Sequence, residues 1–375
     1  MTRHRASVSA ALCAVAAGPV AGGQLVLLAK PLGGVVGVPG AVVGYIVLTG
    51  AVLGLFAALL CLWRVRSSVE MASVCGVLAG AAVLVAGAAD TVAVFAVAVL
   101  VAGTLTGPLL VAGRTLAADL GRQSFVVMHA TATAGLALAA WLAGRYYENP
   151  GTGVIAAGTL TAVLGASTGL LRARLAEAPM SRRTATIGAV PRPALSGYVA
   201  VGLVVGGTVL PALHLLLFRW NEFGAEQLTW LTFAAAPAVF VLALPGRRPA
   251  AVPVLLILAA GGPVLVATAS GPVLLTVGLA VTLTAAARAM TALDEEVCLR
   301  VPHADRAAAT AVVTAIAGFA GLGLVDLLGR VIGTGSALTV LAACVLVTAW
   351  LYGRRDHAAS PPQGVLSSIN EGGAP

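Results

Sequence analysis

What most constrains this chain is the recurrence of apolar runs nearly free of charge, about twelve of them between Ser7 and Leu351. A helix crossing a bilayer needs about 20 apolar residues at about 1.5 Å rise each, and runs such as Ala41 to Trp63, Thr91 to Ala112 and Gly197 to Phe218 meet that length. Lipid offers no partner to a free backbone N–H or C=O, so each crossing should be helical. The expected fold class is all-α: a polytopic membrane protein with about 12 transmembrane helices in two six-helix bundles. Composition points the same way, since 10% of residues are charged and 59% hydrophobic, whereas soluble domains carry about 25% charge.

The net charge of +8 reads as topology once each basic residue is placed. The expected helices span about 7–29, 40–63, 71–89, 91–113, 124–144, 153–172, 196–218, 228–246, 250–268, 271–291, 305–329 and 335–352. Alternate connections then collect eighteen of the 22 basic residues on one side, leaving Lys30, Arg145, Arg219 and Arg330 on the other. By the positive-inside rule both termini are cytoplasmic. Lys30 is the sole lysine, and with abundant Ala, Val and Gly this suggests coding from a GC-rich genome; the expected location is a bacterial plasma membrane. The opening MTRHR before an apolar run has the outline of a secretory signal, but the apolar stretch reaches Ala29, too long for a typical h-region, so it is read as the first span. The domain organisation expected is an N-terminal six-helix bundle (1–171), a cytoplasmic linker rich in Arg and Pro (172–195), a C-terminal six-helix bundle (196–352) and a disordered cytoplasmic tail (353–375).

Several chemistries find no support. Cys13, Cys61, Cys75, Cys298 and Cys344 are scattered singly, without CxxC or Cys/His spacing, so no metal site, disulfide framework or cofactor is expected. HExxH and GxxxxGK[ST] are absent, which argues against a zinc hydrolase and against ATP-driven pumping by this chain alone, and with no cluster of His and acids on one side an enzyme is not expected. The expected partners are the lipid bilayer, a small-molecule substrate and protons, with no nucleic acid and a monomeric state.

A charge near the bilayer centre costs roughly 2.5–3.5 kcal/mol on insertion scales, so embedded ionisable groups mark mechanism. All fourteen acids fall at or near expected helix ends or in connections; Asp326, flanked by Val325 and Leu327, and Asp90 come closest to being embedded and are proton-coupling candidates. His129 is both a proton and a substrate candidate, with Thr133 and Trp141 at helical spacing on its face. His214, Gln24, Tyr45, Thr310 and Thr314 complete the cavity candidates, and for all of these hydrogen bonding between helices is the competing explanation. The low count of embedded charge favours a neutral or lipophilic substrate. Arg114 and Arg288 occupy matching positions, each at a helix end shortly before Asp119 and Asp294, a weak internal echo between the halves. Arg288 either snorkels or pairs with Asp294, Glu295 or Glu296.

Six plus six helices, cytoplasmic ends and a basic central linker resemble the major facilitator superfamily of secondary transporters over roughly residues 6–352. Its connection between helices two and three usually reads Gly-x-x-x-Asp-Arg-x-Gly-Arg-Arg; here Leu62-Trp63-Arg64-Val65-Arg66-Ser67-Ser68 keeps Arg64 but puts Trp63 at the aspartate position. The resemblance implies alternating access, a site near mid-membrane bordered by helix five, and Arg64, Arg114 and Arg288 as cytoplasmic gate candidates. The string Gly18-Pro19-Val20-Ala21-Gly22-Gly23 matches an antiporter motif but lies in helix one rather than five. The reading is a transporter of a small organic molecule, with proton-coupled efflux. The missing gate aspartate supports the alternative, a non-transporting protein of the same fold acting as partner or assembly factor.

Overall fold

A computed structural model describes residues 2–64, 67–171, 190–215, 225–243, 251–302, 305–322, 328–329 and 331–359. Most of the linker, Asp326 and the chain after Ala359 lie outside these residues, as do the side chains of Arg64 and His214. The described elements are helices: α1 (Thr2–Ala16), α2 (Pro19–Leu27), α3 (Ala29–Val36), α4 (Gly40–Arg64), α5 (Ser68–Gly87), α6 (Val92–Leu120), α7 (Arg122–Arg145), α8 (Pro150–Leu171), α9 (Arg192–His214), α10 (Ala225–Ala243), α11 (Val252–Ala267), α12 (Pro272–Arg300), α13 (Arg306–Gly321) and α14 (Thr334–Ala359). Nine spans among the described residues are long and apolar enough to cross a membrane, with α1 and α2 together forming the first, and α10, α11 and α13 are shorter apolar helices.

Four elements differ from the sequence expectation. The first run is not one helix. Gly18 adopts φ 129°, open to a residue without Cβ, and Pro19 supplies no N–H, so α1 stops at Ala16 and α2 restarts with Pro19 in its first turn. Helices α6 and α12 each run 29 residues, about 43 Å at 1.5 Å per residue, well past the places where hydropathy falls. Arg, Leu, Ala and Glu are good helix formers, so the helix continues after the apolar run ends. On α12 the buried stripe Leu275, Leu279, Thr282, Ala286, Ala289 and Leu293 continues to Val297. Helix α14 continues through Ala359, carrying the first residues of the expected tail into helix.

Small residues set the packing within each stretch of chain. Gly107 of α6 lies so close to the carbonyl of Gly54 on α4 that a Cβ at position 107 would collide with it. Likewise Gly206 of α9 abuts Gly321 of α13, while Gly80 of α5 meets Ala162 of α8. Such backbone-to-backbone approach maximises dispersion where lipid provides no hydrophobic drive between helices. Contacts between the chain before and after the 172–189 segment run through α7 with α10 and α12, α4 with α13, and α6 with α12 and α13. On the outer surface of one crossing, Phe56 and Phe319 meet edge to face at 5.1 Å between centroids.

Candidate functional site

The buried charges converge on one place. Asp294 is 4% exposed although two acids follow it directly in sequence. It lies six residues inside the C-terminal end of α12, on the face turned toward α6, α7 and α9. Its Oδ2 accepts from His129 Nε2 at 2.7 Å, and its Oδ1 accepts from the Tyr198 hydroxyl at 2.5 Å. Arg114 Nε stands 3.9 Å from Oδ2. The guanidinium is buried as well, 8% exposed; it donates from Nη1 to Thr314 Oγ1 at 2.9 Å and lies 5.8 Å from the centroid of the Tyr198 ring. Thr314 in turn donates to the carbonyl of Thr310 at 2.6 Å, and the hydroxyls of Thr310 and Thr115 are 3.0 Å apart.

The network joins helices that precede the 172–189 segment to helices that follow it. Arg114, Thr115 and His129 come from α6 and α7; Tyr198, Asp294, Thr310 and Thr314 come from α9, α12 and α13. A second tie follows nearer the helix ends, where Arg306 at the start of α13 donates to the carbonyls of Ala118 (3.3 Å) and Cys298 (3.1 Å). Both carbonyls belong to the last turns of their helices, where backbone acceptors lack partners and a cation is favoured. Cys298 Sγ also reaches Ala118 O at 3.3 Å. Arginine and carboxylate thus offset each other's charge, with the imidazole as a further hydrogen-bond partner, where each alone would bear a heavy desolvation cost.

Beside the network is a cavity of about 210 Å³ between α1, α2, α6, α7, α9 and α12. Its polar lining includes Arg114, His129 and Thr133; Pro19, Leu136 and Val205 are among the apolar walls. Its size suits a few waters or a small molecule's fragment rather than a drug-sized ligand, for which pockets of about 300–1,000 Å³ are usual.

Of the residues singled out from sequence, His129, Arg114, Thr310 and Thr314 are brought together. Thr133 lines the cavity, its hydroxyl donating to the carbonyl of His129. Gln24 is buried on α2 and donates to Ala139 O at 2.5 Å, away from the network. Tyr45 and Trp141 are half exposed on α4 and α7, outside the cavity. Asp90 is exposed in the turn between α5 and α6. Arg288 stands apart from the network on a different face of α12, and Asp326 lies outside the described residues. Among the described residues no group of three or more His, Cys, Asp or Glu could hold a metal. Asp294, Tyr198 and Thr115 were missed; the continuing stripe from Leu275 to Val297 is the signal that would have kept position 294 on a buried helical face.

No family model matches the sequence, and no curated protein does. The fold is a different matter. The human organic anion transporter MFSD10 (TETRAN) superposes with a TM-score of 0.67 at 13% identity, covering 93% of this chain and 99% of that one. A major facilitator superfamily transporter, FucP, in its outward conformation superposes with a TM-score of 0.61 at 12% identity, covering 95% and 99%. The chain has the major facilitator fold. The nucleoside transporter NupG matches it with a TM-score of 0.58 at 12% identity, covering 93% of this chain and 99% of that one. Near-complete coverage of chains built this way makes the major facilitator fold a property of the whole molecule, and the buried network a feature within it.

Proposed function

We propose that this chain is a secondary transporter that moves a small neutral or lipophilic organic molecule out of the cell by alternating access, coupled to protons. In this reading residues 1–171 and 196–352 are two six-helix bundles joined by the 172–195 linker, in a bacterial plasma membrane with both termini cytoplasmic. The observation that carries it is the buried network of Arg114, His129, Tyr198 and Asp294, joining helices from both bundles beside a cavity. Its parts suit a latch. Rocking one bundle against the other must separate Asp294 from Arg114 and His129. A proton on the carboxylate removes the negative charge that Arg114 and His129 share, so protonation and opening favour each other. The Arg114–Asp294 pair then takes the part that the family's missing gate aspartate plays elsewhere.

Purified protein in liposomes under an imposed pH gradient, offered a panel of lipophilic compounds, tests the reading. Gradient-driven accumulation of at least one compound, lost in Asp294→Asn and His129→Gln, is the expected result. Silence across the panel with and without a gradient would overturn it.

A further inference from the structure

Away from the central cavity, a groove of about 730 Å³ runs between α10 and α11 with α12 as its floor. Helices α10 and α12 are separated by one crossing, so they run in the same direction, and Trp230 and Val273, each near the start of its helix, mark the same end of the groove. That end is apolar. Trp230, Phe233, Val273 and Val277 are all about half exposed, as lipid-facing side chains are. Toward the other end the character changes, with Thr284, Arg288, Thr291 and Glu295 succeeding one another along α12. Arg288 lies about 22 Å along the axis from Val273. A groove apolar along most of its length and cationic in one place has the pattern of an amphiphile.

Arg288 needs an anion. It is half-buried inside a membrane-length helix and, among the described residues, makes no hydrogen bond or ion pair. The acids near it in sequence are committed or distant. Asp294 is held by Arg114, His129 and Tyr198; Glu296 accepts from Arg300 at 3.2 Å and from the Tyr352 hydroxyl. Glu295 lies two helical turns further along, about 10 Å away on the axis. One turn before Arg288, the Thr284 hydroxyl oxygen is buried with no hydrogen-bond partner. A guanidinium and a spare hydroxyl at one end of an apolar groove fit a phosphodiester, which accepts bidentate bonds from arginine.

We propose that this groove holds an anionic phospholipid of the bilayer, its phosphate on Arg288 and Thr284 and one acyl chain laid toward Phe233 and Trp230. The site is separate from the central cavity and does not depend on the transport reading. Lipid within reach of the groove is always present, so the discriminating property is preference for a negative headgroup.

Native mass spectrometry of the full-length protein in detergent, offered equimolar phosphatidylglycerol and phosphatidylcholine with matched chains, measures that preference. The expected result is about fivefold greater retention of phosphatidylglycerol, from one arginine contact worth about 1 kcal/mol. Arg288→Gln should equalise the two lipids. Arg354→Gln, changing an exposed arginine stacked on Trp350 outside the groove, should leave the preference intact. Val277→Trp, which fills the apolar end, should remove the retained lipid while keeping Arg288. Millimolar inorganic phosphate should displace nothing, since the headgroup alone lacks the tail. Equal retention of both lipids by the unaltered protein, or an undiminished preference in Arg288→Gln, would overturn the proposal.

Discussion

Replacing Asp294 with asparagine keeps the side chain's shape and deletes the one negative charge in the buried network. His129 and Arg114 then lose their common anion, at 2.7 and 3.9 Å, and Tyr198 donates to a neutral amide instead of a carboxylate. Removing one partner of a buried pair costs about 3–5 kcal/mol, largely because the remaining charge stays desolvated. Arg114 keeps its bond to Thr314 and its place near the Tyr198 ring, which puts the expected loss near the lower end, about 3 kcal/mol. Equilibrium unfolding in mixed micelles measures it. The decisive comparison is a double-mutant cycle with Arg114→Met, which takes the cation away together with the anion. The double variant should be less destabilised than the sum of the singles by about 1–3 kcal/mol. An Asp294→Asn protein within about 0.5 kcal/mol of the unaltered one, or a strictly additive cycle, would refute the view that the carboxylate is what holds these side chains in place.

Three further outcomes are expected. In a background with Cys13, Cys61, Cys75 and Cys344 replaced, Cys298 should react with a membrane-permeant maleimide several times faster in Asp294→Asn if the pair holds α6 against α12, because its sulfur packs against Ala118 between those two helices. No change in rate would separate the ion pair from the closure of that gap. Gly107→Ala should destabilise by about 1–3 kcal/mol, since its new methyl meets the Gly54 carbonyl; Gly44→Ala on α4, with open space at its Cβ, should be neutral or gain up to about 1 kcal/mol, both read by thermal unfolding. Arg306→Gln should cost about 1–3 kcal/mol through the carbonyls of Ala118 and Cys298, again read by thermal unfolding.

Much of the fold is legible in the chain because lipid imposes a length on every apolar run. Asp294 escaped for a physical reason. Hydropathy falls at Arg288, yet helix propensity does not, so an acid that looks like part of a connection sits within α12. Arg114 likewise ends its apolar run in the sequence, while six further residues of α6 follow it. His129 and Thr314 were visible as polar groups in apolar runs, but their partners lie 165 and 200 residues away in sequence, and no local pattern pairs them. Trp141 and Tyr45 mislead in the opposite sense, since helical spacing gives a shared face without saying whether lipid or protein covers it.

Between α6 and α7 stands a single residue, Gly121, at φ 86° and ψ −171°, a conformation that side chains resist. Arg114 is fixed to the helix that ends there and His129 to the one that begins. With so short a joint, neither helix can slide without dragging its neighbour. Arg114 and His129, the two side chains that reach Asp294 from this part of the chain, are therefore carried on one stiff piece, and a lone carboxylate touches a pair of helices at once.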